Sequence, residues 1–182
     1  GIDTSPVDPH AMDEAKSMGH LVTLPKDITS YEEAETVLLS LSEQVGRRVR
    51  RENYMGRTVT ITLRDNSFCT ITRSATISYT NSTEDIYNLA KKLLYANWDG
   101  KTPLRLLGVS LSQLVKEFEQ LSLFDTDEKK RKLNKVIDEI KDRFGDGVIF
   151  RAKLLNDEEL NRRKLGKSDN NAPALRGIRR KV

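Results

Sequence analysis

Residues 57–78 read RTVTITLRDNSFCTITRSATIS. In the first half Val59, Ile61 and Leu63 alternate with Thr58, Thr60, Thr62 and Arg64. A period of two that separates an apolar set from a polar one is the pattern of a half-buried β-strand. Asp65-Asn66 then supplies residues that tolerate a tight turn. On the return Cys69, Ile71, Ala75 and Ile77 share one side, and Thr70, Thr72, Ser74 and Thr76 share the other. The stretch therefore predicts a hairpin with one face for a core and one face of hydroxyls.

Upstream, Ser30 and Glu33 form an S-x-x-E capping box, and Ala34, Val37, Leu38, Leu41, Val45 and Val49 follow at helical spacing. That helix ends in RRVRRE (47–52), whose arginines suit the negative end of the helix dipole. Before it, KSMGHLVTLP (16–25) reads as a strand that Pro25 ends. Downstream, a second helix begins near Ser82 or Thr83 with Ile86, Leu89, Ala90, Leu93 and Leu94 inward, and LRLLGV (104–109) reads as a fourth strand. The order β-α-β-β-α-β predicts an α+β, ferredoxin-like layer, a four-stranded sheet with both helices on one face.

The same pass divides the chain. Residues 1–15 open with the Pro- and Asp-rich GIDTSPVDP and read as a linker, so that the chain looks cut from a longer protein. Residues 16–118 are the folded domain, and 119–125, EQLSLFD, place two leucines and a phenylalanine in a connection. Residues 126–155 predict a helical extension: Asp125 and Glu128 cap it, Leu133, Val136, Ile137, Ile140 and Phe144 form an inward stripe, and Gly145 and Gly147 end it. VIFRAKLL (148–155) adds a short strand, and 156–182 form a basic tail whose composition predicts disorder.

Composition narrows the function classes. With 182 residues, 32% of them charged, and a mean hydropathy of -0.57, the chain suits one compact soluble domain with appendages. No apolar run approaches the roughly 20 residues of a bilayer span, and no signal segment is present; no membrane partner is expected. The single Cys69 excludes an internal disulfide and fits a reducing, cytoplasmic setting. The net charge is +4, but residues 156–182 carry eight Lys/Arg against four Asp/Glu, which leaves the remainder formally neutral. Within that remainder residues 44–109 hold eleven basic and five acidic side chains, enough for a local positive face.

Catalytic chemistry is hard to place. His10 and His20 have no ligand-spaced partners, so no metal site is expected. There is no phosphate-cradling glycine loop, no carboxylate pair placed to hold two metals, and no histidine positioned to activate a serine. The predicted open face of threonines, serines and arginines suits phosphates, which hydroxyls and guanidinium bind without reading sequence. It equally fits an ordinary solvated sheet face. An RNA-recognition module needs exposed aromatics on its central strands, where this sequence puts Thr70, Thr72 and Ser74 with Phe68 alone near the hairpin end. A protein-interaction module and a small-molecule-binding regulator are the remaining classes.

KSMG, TITLRDNSFCTITRSATIS and LRLLGVSLSQL, taken in order, resemble the C-terminal little-finger domain of Y-family translesion DNA polymerases. QLSLF followed by a charged helix is most similar to the UmuC-like branch. The likeness covers residues 1–124. It implies a DNA-binding domain of an error-prone polymerase acting in DNA repair and SOS damage tolerance. The sheet would grip primer-template phosphates through Lys16, Ser17 and Gly19 on the first strand, Thr72, Arg73, Ser74 and Thr76 on the third, and Arg105 on the fourth. Arg73 falls on the inward parity of its strand, so a bulge or a marginal position would have to bring it to DNA. The resemblance also implies a sliding-clamp peptide made by Gln120, Leu121, Leu123 and Phe124. The family's catalytic carboxylates belong to a palm domain absent from this sequence. Mg and dNTPs would then serve the parent polymerase, with no catalytic residue and no cofactor in this fragment.

Overall fold

The computed structural model describes residues 15–116 and 128–154. The chain divides into two compact units, residues 1–123 and 124–182. In the first, β1 (Ser17–Ile28), α1 (Tyr31–Arg51), β2 (Tyr54–Asp65), β3 (Thr70–Thr80), α2 (Thr83–Asn97) and β4 (Leu104–Ser112) follow in the expected order, and a short β5 (Val115–Lys116) comes after them.

The sheet runs β1-β4-β2-β3, with every neighbouring pair antiparallel. β1 and β2 therefore run in the same direction with β4 between them, and β3 and β4 do so with β2 between them. Each helix is the crossover of one such split pair. β3 is an edge strand, not one of the central pair. β5 pairs Tyr54 with Lys116 and Met55 with Val115, extending the β2 ladder beyond Gln113, whose φ is 54°.

Both helices lie on the face that carries Val59, Ile61 and Leu63 of β2 and Leu107, Val109 and Leu111 of β4, all but excluded from water. From the helices, Leu38, Leu41, Val45 and Val49 of α1 and Ile86, Ala90 and Leu94 of α2 close on that layer. Burying each larger side chain contributes roughly 1.5–3 kcal/mol, which is why the alternation in 57–64 decides the fold. The Ser30 hydroxyl accepts from the Glu33 N–H at 3.3 Å and donates to its carboxylate at 3.1 Å, which fixes the start of α1. At its far end Arg50 donates to the Asn81 carbonyl at 2.7 Å, so one arginine of RRVRRE ties α1 to the loop ahead of α2.

Three boundaries differ from expectation. Pro25 lies inside β1, which continues to Ile28 through an irregularity between Thr23 and Ile28. An edge strand tolerates this, because the missing N–H need not face a partner. β4 extends to Ser112. The expected strand at 148–155 is instead a 3-10 turn at Ala152–Leu154.

In the second unit α3 spans Glu128–Phe144, and Gly145, with φ 92°, closes it by donating to the Lys141 carbonyl. Leu133, Val136 and Phe144 of the expected inward stripe are exposed. Helical spacing shows which residues share a face, not whether anything covers it. The tail and the 119–125 peptide fall outside the described residues.

Candidate nucleic-acid interface

The face away from the helices is a grid read from the ladder register. One row is Ser17, Ser112, Thr58 and Thr76; the next is Gly19, Ser110, Thr60 and Ser74. A third is Leu21, Gly108, Thr62 and Thr72, and the last is Thr23, Leu106, Arg64 and Thr70. Eleven of these sixteen positions are Ser or Thr, so the face presents hydroxyls in four parallel lines.

Several hydroxyls bond one another. Thr60 Oγ1 and Ser74 Oγ are 2.8 Å apart, and Thr58 Oγ1 and Thr76 Oγ1 are 3.1 Å apart. Thr58 also donates to Gln113 Oε1 at 3.2 Å, and Arg64 Nε donates to Thr70 Oγ1 at 2.7 Å. The Thr60–Ser74 pair spends only one of its two protons, leaving the other free to donate outward. Such a row is partly preorganised and still able to bind an anion.

Two glycines keep the face low. A Cβ on Gly19 would come within 2.7 Å of Ser110 Cβ, and one on Gly108 would meet Leu21 Cβ at 3.0 Å and Thr62 Cβ at 3.3 Å. With hydrogen in their place, strands β1 and β4 offer their backbone to a close approach.

At the Arg64 end the hairpin turn projects. The Asp65 N–H donates to the Cys69 carbonyl at 3.1 Å, the Phe68 N–H to the Asp65 carbonyl at 3.2 Å, and the Cys69 N–H to Asp65 Oδ1 at 2.8 Å. Asn66 donates to the Pro103 carbonyl at 3.2 Å, fastening the turn to the start of β4. There Arg105, exposed and lying where the ladder breaks step on both sides, sets its guanidinium 5.1 Å from the Phe68 ring centre.

Of the sequence-derived positions, Ser17, Gly19, Thr72, Ser74 and Thr76 stand together on the grid, with exposed Lys16 beside Ser17. Arg105 stands at the turn end. Arg73 does not join them. The ladder is unbroken from Thr76 to Thr70, Arg73 lies opposite Ile61 on the helix side, and its Nε donates to Asn97 Oδ1 of α2 at 2.9 Å. Strict alternation holds there, and no bulge turns it over. Thr58, Thr60, Thr62, Arg64, Ser110 and Ser112 share the face, although sequence reading did not single them out as site residues. The signal was present in the polar half of the β2 alternation and in LRLLGVSLS. Gln120, Leu121, Leu123 and Phe124 fall outside the described residues.

The basic excess of residues 44–109 is spread over the unit and does not make this face cationic. Arg50 serves the Asn81 loop, and Lys91 forms a 2.9 Å ion pair with buried Glu35. That contact raises the Lys91 pKa, chiefly through the hydrogen bond and against the desolvation that lowers it. Glu35 also accepts from Tyr95 Oη at 2.5 Å and Tyr87 Oη at 3.3 Å, bracing α1 to α2. In the loop before β4 the Lys101 and Thr102 N–H groups and the Thr102 hydroxyl lower the Asp99 pKa. Of the grid residues only Arg64 carries a charge, so the polar groups the face presents are mainly hydroxyls. Among the described residues no group of three His, Cys, Asp or Glu is placed to hold a metal ion, and no helix is long and apolar enough to cross a membrane.

The impB/mucB/samB family C-terminal domain matches residues 15–123. DNA polymerase IV of Moorella thermoacetica is 48% identical over 154 residues, which cover 84% of this chain and 38% of that protein. DNA polymerase IV 2 of Bacillus subtilis is 45% identical over 161 residues, covering 85% and 39%. The chain thus spans about two fifths of the length of these relatives. Among solved structures, a chain of the complex of beta-clamp processivity factor and little finger domain of PolIV aligns with TM-score 0.47 and 19% identity, over 60% of this chain and 98% of that one.

Proposed function

The chain belongs to the impB/mucB/samB family, as its C-terminal, Y-family little-finger domain, and on that premise we propose that it holds primer-template DNA for a translesion polymerase. The observation that carries the reading is the hydroxyl grid, an open face with donors in rows and two glycines that admit close approach. Phosphates of the duplex lie along the Ser and Thr lines, with Arg64, Arg105 and Lys16 supplying charge at the ends. Thr72, Ser74 and Thr76 contribute from β3, and Ser17 and Gly19 contribute from β1. Arg73, at the margin on the helix side, contributes only through its contact with Asn97.

The parent enzyme is a DNA polymerase whose palm domain handles Mg and dNTPs. The names of the relatives above support a polymerase IV-like parent over the UmuC-like branch that QLSLF followed by a charged helix suggested. Gln120, Leu121, Leu123 and Phe124 dock on the bacterial sliding clamp, tethering the polymerase to DNA without adding a DNA contact. An RNA-recognition role has less support, because the grid carries hydroxyls where base-stacking aromatics would stand.

The test is binding of the 182-residue chain to two primer-template duplexes of unrelated sequence, and to the purified clamp. The reading expects equal affinity for both duplexes, and clamp binding that disappears when Leu123 and Phe124 are both replaced by Ala. Strong preference for one duplex would point to base readout, and undetectable DNA binding at low salt would remove the DNA reading.

A further inference from the structure

Phe68 breaks the local rules of its own turn. Residues Asn66, Ser67 and Phe68 form a three-residue hairpin loop, closed by the bonds between Asp65, Phe68 and Cys69. The third loop position of such a hairpin lies in the left-handed region and ordinarily takes glycine. Here it is Phe68, at φ 65° and 66% exposed. For a bulky side chain that backbone is strained, and the ring gains little burial in return. A residue that violates turn chemistry without a packing gain is expected at a functional site. The ring does have a neighbour: the Arg105 guanidinium lies 5.1 Å from its centre, within cation-π range. Thr70 and Arg64, bonded at 2.7 Å, form the adjoining row of the hydroxyl face.

We propose that Phe68, backed by Arg105, is a stacking platform for an unpaired nucleobase at the turn end of the face, beside the held duplex. The inference rests on the DNA-holding reading and adds a single-stranded subsite to it. An aromatic face accepts any base by stacking, and a cation beside the ring attracts the phosphate of the same nucleotide. The strained backbone presents the ring to solvent at a point continuous with the phosphate-binding rows. A purely backbone-gripping face has no use for such a ring.

The test titrates the 182-residue chain with a labelled blunt duplex and with the same duplex carrying a 5′ single-stranded extension. Wild type should bind the extended DNA more tightly. F68N, whose residue tolerates the left-handed backbone, should lose that preference by about five-fold or more, keep its blunt-duplex affinity, and melt no lower than wild type. F68Y should retain the preference. F68G serves in place of F68N if the latter melts lower. Preference intact in F68N, equal weakening toward both DNAs, or no preference in wild type overturns the proposal while leaving the duplex reading in place. Binding to neither DNA overturns both.

Discussion

The Thr60–Ser74 pair offers a way to separate hydroxyl recognition from charge. Its oxygens are 2.8 Å apart across β2 and β3, in the middle of the open face. One proton is spent within the pair, so replacing Thr60 by Val and Ser74 by Ala removes one outward donor to DNA. A hydrogen bond to a charged acceptor contributes about 1.5–3 kcal/mol. The double variant should therefore bind duplex DNA about 10- to 150-fold more weakly. The fold should survive, since an exposed cross-strand pair contributes only about 0.2–1 kcal/mol, and valine suits a strand. Salt dependence discriminates further. The slope counts cations that displace counterions, so it should stay unchanged in the hydroxyl variant and fall by about one in Arg64→Ala. The assay is fluorescence anisotropy at several salt concentrations, with a thermal melt of each variant as control. An affinity within two-fold of wild type, in a protein that melts normally, would refute hydroxyl recognition on this face.

Further outcomes follow from the same geometry. Gly19→Val should cost about 1–3 kcal/mol in urea denaturation, because its Cβ meets Ser110 Cβ at 2.7 Å. Glu35→Ala should destabilise by roughly 1–3 kcal/mol in the same assay, by stripping partners from Tyr95, Tyr87 and Lys91. Lys91→Met should cost under about 1 kcal/mol, since that side chain is 39% exposed. Asp99, with its pKa lowered in the folded state, contributes stability above its unfolded value of 3.8 that is lost as pH falls through the folded pKa. Asp99→Asn should accordingly flatten the acid limb of a melting-temperature profile below about pH 4 and leave its neutral region's shape unchanged.

Much of the fold was legible because single elements announce themselves. The β2 alternation, the Ser30 cap and the spacing from Ala34 to Val49 each follow from periodicity and local bonding alone. The strand order was not legible, because β-α-β-β-α-β fixes connectivity and leaves the lateral arrangement to packing. That is why β3 could be read as central when it lies at the edge. Pro25 misplaced a strand end, since a proline signals a missing donor without saying whether that donor faces a partner. The exposed stripe of α3 has the same origin: amphipathicity marks a face, and only tertiary structure supplies its cover.

The candidate site divided along similar lines. Parity placed Thr72, Ser74 and Thr76 together and Arg73 on the opposite side, and the fold keeps it there. Charge counting was a poorer guide, because Arg50 and Lys91 serve contacts within the fold that composition does not reveal. Phe68 was visible in the sequence, but its left-handed backbone was not. Asp65-Asn66 suggested a tighter turn than the three-residue loop that Asp65 closes through its carboxylate.

The most direct test of the central claim is an amide chemical-shift titration of the isotopically labelled chain with a short primer-template duplex. The account predicts saturable shifts at Thr58, Thr60 and Thr62 on β2, at Thr72, Ser74 and Thr76 on β3, and at Ser110 and Ser112 on β4, with the middle of α1 and α2 unmoved. Shifts gathered on the helices, with the hydroxyl rows silent, would contradict it.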